Sequence, residues 1–413
     1  MPNRFICSAS LIRKVAALVL SIGLSTIAAA PANAVTLEEV VRVAITSYPA
    51  IEVARANTES ARFLVDQAKA AHFPTVDLAS QRRISGAANS LTQPRLRLNL
   101  YSSGAIEAGV ERESWREQSL SSTERVTREE VAFGAGQAWF RLLRAQGQAV
   151  AVRKNLARHQ ALVDDFAAIT AIDQGRRFDL VQARSRTEQV RQTLAGAETE
   201  IAAAREALAR FYPNPIQLDA LRIPTELGDD PSLAGDDVVV RHPSVEASRR
   251  SLLAAEASVR AARANRGPRL DLEATGGRDN ASVVFLSWPA FDLSRGAAEG
   301  AALASLVGAR ASIEEQERLI RERQRSSIQE FASAQRREAV ARNQIDLGRE
   351  LVDIYKAQFQ IGRRNLLDLL TAFNELFIAE SAYEGAIVDK SLSRYRMEYA
   401  AGRFARLFED RKP

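Results

Sequence analysis

Proline stops at Pro94 and does not return until Pro213; it stops again at Pro289 and does not return until Pro413. The two intervening runs are rich in Ala, Arg, Glu, Leu and Gln, good helix formers, and lack the residue that most reliably breaks a helix. Apolar residues recur in them at helical spacing, as in Leu366, Leu369, Phe373, Leu376, Tyr383 and Ile387. Ser103 to Ile172 alone is 70 residues, roughly 105 Å at the 1.5 Å rise of a helix. Ordinary globular helices run about 10–14 residues, so these runs predict a coiled coil or bundle. Each run is interrupted once by the same phrase, "GRRFDLVQA" at 175–183 and "GRRNLLDLLTA" at 362–372. The reading is two helical hairpins. Gly175 and Gly362 serve as left-handed caps ending one helix, and Asp179 and Asn365 as N-caps starting the next.

The chain is also written twice. With Pro49 set against Pro243, Glu52 meets Glu246, Arg55 meets Arg249, Pro74 meets Pro268 and Asp77 meets Asp271 without a gap. After each second proline the period changes from helical to two. Val76, Leu78 and Ser80 alternate with Thr75 and Asp77. Leu96, Leu98 and Leu100 alternate with Arg95, Arg97 and Asn99. "RLDLEAT" and "ASVVFLSW" repeat this around the turn "GGRDN". Such alternation predicts strands with one polar and one apolar face. Arginine on the polar face suits a watery lumen better than a protein core.

Residues 1–34 read as a secretory signal, with Arg4, Arg13 and Lys14 before an apolar run and Ala32-Asn33-Ala34 as the cleavage site. Its removal lowers the formal charge from +5 to about +2, which takes away any argument for nucleic acid. The sole cysteine, Cys7, leaves with it and sits too far from the cleavage region for lipidation, so no disulfide is expected. Arg interleaved with Glu and Asp along the helices reads as solvated faces. No later segment has the roughly 20 consecutive apolar residues of a spanning helix, so any crossing of a membrane must be made by strands. The expected layout is a first repeat over 35–212 with strands near 75–83 and 94–101 and a tip near 175–179. A proline- and acid-rich connector follows over 213–239. The second repeat spans 240–404, with strands near 269–275 and 281–288 and a tip near 362–368, and 405–413 form a tail. The fold class is mainly α with a small β part.

This order, together with "LEEVVRVAITSYPAIEVARANTESA" and the tip "GRRNLLDLLTAFNELF", resembles the TolC family of outer-membrane channel proteins along the whole mature chain. Members resembling the tip this closely include outer-membrane components of type I secretion systems. The resemblance implies a homotrimer whose strands make a 12-stranded barrel in outer-membrane lipid above an α-helical tunnel in the periplasm. Elementary physics agrees, because four strands cannot close a barrel and lipid tolerates no open sheet edge. Tyr101, Phe285, Trp288 and Phe291, near the strand ends, are candidates for an interfacial aromatic belt.

The resemblance further implies that the two tips close the periplasmic entrance. The family's entrance acid falls on Asp368; a second acid one turn later is replaced by Thr371, which leaves a single carboxylate ring. Asp179 and Arg364 match two positions of a polar latch between hairpins. Phe178 and Phe359 stand where the family can carry hydroxyl-bearing partners. Gly175, Arg176, Arg177, Gly362 and Arg363 are the candidate docking surface for a periplasmic adaptor, itself bound to an inner-membrane ABC or resistance-nodulation-division transporter. Structure alone also places an acid in a first helical turn, so Asp179 and Asp368 suit their positions without any channel role.

No enzyme constellation is present. His72, His159 and His242 lack cysteines or paired acids at metal spacing, and the glycine-rich stretches lack a following P-loop lysine. His72 and His242 read as helix-end packing. No cofactor is expected, and transport would be passive. Two alternatives stand beside a type I secretion duct: the outer-membrane factor of a drug-efflux pump, and a soluble periplasmic coiled-coil scaffold.

Overall fold

The computed structural model describes residues 35–82, 90–215, 221–224, 227, 233, 235–277, 280–289 and 292–409. The expected signal, Phe291 and parts of the connector, loops and tail lie outside them. Two short helices, α1 (Leu37–Ser47) and α2 (Pro49–Ala70), lead into β1 (Thr75–Arg82) and β2 (Ser90–Tyr101). A 68-residue helix α3 (Ala105–Ile172) follows, then a 3-10 turn (Gln174–Arg176) and α4 (Arg177–Ala209). The second pass consists of α5 (Asp236–Arg241), α6 (Pro243–Ala264), β3 (Arg269–Thr275), β4 (Ala281–Ser287), α7 (Leu293–Gln360, again 68 residues) and α8 (Leu366–Ala400). The short α9 (Arg406–Glu409) ends the described chain.

The duplication extends to backbone angles. Tyr48 and His242 each break a helix in front of proline at nearly the same φ/ψ, −75°/128° and −63°/133°. That is the extended conformation a proline forces on its predecessor. Helix α5 begins at Asp236, inside the segment read as connector, because Asp236 and Asp237 favour a helix N-terminus.

Helix α3 is the axle of the fold and packs against α1, α2, α4, α6 and α8. Its buried residues Ala132, Ala135, Trp139, Leu142, Ala145, Ala149 and Val152 recur every three or four positions, the spacing of a coiled-coil seam. Small alanines let neighbouring helices approach closely around the fully buried Trp139, Phe140 and Phe404. This core takes in α1, the end of α4 and residues beyond α8. Phe408, in the segment read as a tail, is buried within it. A second core, with Leu162, Phe166, Leu180, Leu369 and Phe373 among its members, closes the far end of the bundle near the hairpin tips. The expectation that interleaved charges mark solvated faces fails at these seams. Glu380, Arg394 and Glu398 are buried, as is Glu129, which accepts a hydrogen bond from the Ala405 amide at 3.1 Å. Arg158 grips Glu380 through two bonds of 3.1 and 2.7 Å and so ties α3 to α8.

The sheet has the order β1-β2-β3-β4, antiparallel throughout, so β2 and β3 join the two repeats and β1 and β4 remain as edges. Direct cross-strand partners share a face. One face is apolar: Val76 lies opposite Leu96, Leu98 opposite Leu272, and Leu272 opposite Val284. The other is charged over its middle strands. Glu273 pairs with Arg95 at 3.0 Å and Arg97 at 3.5 Å, and Asn99 donates to Asp271 at 2.7 Å. Two details differ from the alternation read in sequence. An irregularity between Asn99 and Tyr101 sets Tyr101 opposite Leu270, so Leu100 drops out of the pairing and Tyr101 joins the apolar face. Phe285 lies opposite Asp271, so it belongs to the polar face and not to an outward aromatic belt. Strand β2 also starts earlier than expected, at Ser90. Pro94 is tolerated there because β3 ends opposite Arg95, leaving only β1 beside it.

Candidate functional site

The two hairpin tips share a sequence phrase but end their helices by different means. At the second tip, Gly362 takes φ +75°, its amide bonds to the Phe359 carbonyl at 3.0 Å, and the Arg363 amide bonds to the Gln358 carbonyl at 2.9 Å. This is the Schellman termination, which needs a residue at ease in the left-handed region. Asn365 then caps α8, its side-chain oxygen accepting from the Asp368 amide at 2.9 Å. The first tip departs from expectation. Gly175 lies within the 3-10 turn and not in the left-handed region, and Asp179 is the third residue of α4 and not its cap. The reason is Asp173, whose carboxylate accepts from the Gly175 amide at 2.9 Å and starts the 3-10 turn that runs straight into α4. No acid occupies the corresponding stretch Phe359–Ile361, so the second tip relies on its backbone and glycine.

Asp368 sits in the first turn of α8, with an oxygen 3.6 Å from the Arg364 guanidinium. Arg364 also donates to the Gln358 side chain at 3.2 Å and lies 4.4 Å over the Tyr355 ring. The residues read as latch partners are therefore not joined within one chain: Arg364 is engaged by its own hairpin, and Asp179 is half-buried on the other. Phe359 does link the hairpins, its ring meeting Phe166 of α3 edge-on at 5.5 Å. Phe178 does not pack and is 75% exposed. Arg176 is half-buried, while Gly175, Arg177, Gly362 and Arg363 are exposed at the ends of their hairpins.

Thr371 donates to the Leu367 carbonyl at 2.9 Å and lines a groove of about 300 Å³ between the hairpins, together with Asn155, His159, Arg186 and Asn374. His159 stacks edge-on against Phe373, with Nδ1 3.0 Å from the Asn155 carbonyl. Burial, and then the neighbouring Arg158 and Arg186, hold its pKa below the usual histidine value. Among the described residues no group of His, Cys, Asp or Glu could hold a metal ion. Sequence reading missed the apolar crown of the tips. Ile172 is 93% exposed and Ile361 65%, each the last apolar residue before its turn. Their available signal was an isoleucine placed against a cluster of arginines.

Residues 235–390, nearly all of the second repeat, match the sequence model of the family described as outer membrane efflux protein. Over this stretch the chain is similar to that family. No curated protein matches in sequence. The fold is shared with solved channels. The Campylobacter jejuni CmeC outer membrane channel has a TM-score of 0.79 and 15% identity, with 89% of this chain and 86% of that one covered. VceC of Vibrio cholerae gives 0.78 and 17%, covering 89% and 96%. The open-state MtrE channel of Neisseria gonorrhoeae gives 0.78 and 18%, covering 89% of each. At these identities the likeness is one of fold.

Proposed function

We propose that three copies of this chain form a passive exit duct, with a 12-stranded barrel in the outer membrane and the hairpin tips at the periplasmic mouth. The carrying observation is the sheet, with two open edges, a bare apolar face and an opposite face whose middle strands are charged. Such a sheet is at home in lipid only when copies join edge to edge and enclose the charges. Exposed Val307, Val340 and Leu347 along α7 support association below the barrel. Energy would come from an inner-membrane transporter, reached through an adaptor that docks on Gly175, Arg176, Arg177, Gly362 and Arg363. Ile172, Phe178 and Ile361 offer apolar contacts beside them. Asp368 would form the entrance ring, with Thr371 one turn deeper.

Native mass spectrometry of the full chain in detergent tests the assembly. A trimer is expected, and a folded monomeric barrel overturns it. The tip resemblance favours type I protein secretion. The description of the matched family favours a second reading, small-molecule efflux. Deletion of the gene separates them: loss of one secreted protein from the medium supports the first, and new sensitivity to toxic compounds the second.

A further inference from the structure

Arg364 stands on the turn between Gly362, which ends α7, and Asn365, which starts α8. It is held from both sides. Tyr355 offers the face of its ring 4.4 Å away and Gln358 accepts from Nε at 3.2 Å, both from the last turns of α7. The end of the guanidinium left over reaches Asp368 on α8, Nη1 to Oδ2 3.6 Å. An exposed ion pair alone is a weak restraint on long side chains. Here the cation is positioned by an aromatic face and a neutral amide, neither of which depends on the carboxylate. Asp368 thus has a tethered positive charge well inside the ~8 Å over which physiological salt screens charges.

We propose that Arg364 is a specificity-determining residue of the entrance, acting as a fixed countercharge that cancels much of the field of Asp368. This rests on the reading that the tips line the mouth of the duct. A mouth built from three bare carboxylates would carry a strong negative potential, attract cations and be blocked by multivalent ones. Three Arg364–Asp368 pairs carry no net charge, and a passing ion meets three short dipoles. The weak cation preference of such a mouth is set by how firmly α7 holds the arginine, so the acid alone is not its measure.

The test is reversal potential in planar bilayers across a KCl gradient, using the full chain and its variants, with trivalent-cation block measured alongside. Arg364→Gln should raise cation-over-anion permeability severalfold and tighten the block. Asp368→Asn should shift permeability toward anions and remove the block. The double variant should return near the wild-type reversal potential. Tyr355→Leu, which keeps both charges but loosens the tether, should fall between wild type and Arg364→Gln. If Asp368→Asn shifts selectivity and Arg364→Gln does not, the countercharge is overturned while the entrance reading stands. If neither variant moves the reversal potential or the block, the tips do not line the conducting path and both fail. An effect of Arg364→Gln that persists undiminished in the Asp368→Asn background also overturns the pairing.

Discussion

Leu272 occupies the middle of β3, with Leu98 opposite on one side and Val284 on the other, all on the apolar face. Replacing it by arginine places a charge at the centre of the band proposed to meet lipid. A midplane arginine on a barrel's lipid face costs about 2–4 kcal/mol per copy, so a trimer would carry roughly 6–12 kcal/mol. The matched control is Asn99→Arg. Asn99 lies on the charged face and already bonds to Asp271, which would accept the new guanidinium. Trimer recovered from outer-membrane fractions, followed by its heat-dependent mobility on gels, should collapse for Leu272→Arg and stay near wild type for Asn99→Arg. Denaturant titration in lipid would then order the two by energy. Equal loss in both, or a greater loss for Asn99→Arg, would refute the facing of the sheet. With a side-chain period of two, that result means a register displaced by one residue.

Glu380→Ala should lower stability by about 3 kcal/mol, because it strands the Arg158 guanidinium at the α3–α8 seam; a thermal melt of the detergent-solubilised protein measures it. Gly402→Ala should cost at least about 1–2 kcal/mol in the same assay, since φ is +65° and a Cβ would stand 2.6 Å from Pro243 Cδ. Burial pulls the pKa of His242 down to about 4, so between pH 6.5 and 4 the unfolded chain takes up a proton that the folded one refuses. Taken alone this makes stability fall with falling pH by on the order of 3 kcal/mol, and His242→Gln, which removes it, should leave only the opposing slope of Glu129 in melts run across the range. Burial pushes Glu129 up to about 7, the opposite case: from pH 4.5 to 7 the folded state keeps a proton the unfolded state loses, so stability falls as pH rises. Glu129→Gln should therefore expose the His242 slope, while wild type, carrying both, stays nearly flat between pH 4.5 and 6.5.

The long helices were legible because the absence of proline over a hundred residues is a local property, readable without knowing any partner. So was the second tip, where Gly362 and Asn365 act within a few residues of themselves. The first tip misled because the repeated phrase began too late. The decisive residue, Asp173, lies two positions before Gly175, outside the part that matches. The irregularity at Leu100 left no mark on the alternation, since an extra residue in one strand is defined only against its neighbour. Buried charges were the least legible. Glu129 is satisfied by the amide of Ala405, 276 positions away, and Glu380 by Arg158, 222 away. Along either helix alone they look like the solvated acids around them. Arg364 and Asp368 are the instructive middle case. They are four apart, the spacing of a helical ion pair, yet Arg364 precedes the cap and belongs to no helix. Its position comes from Tyr355 and Gln358 on the preceding helix, so the pair exists only once the Gly362 turn has brought α7 and α8 together.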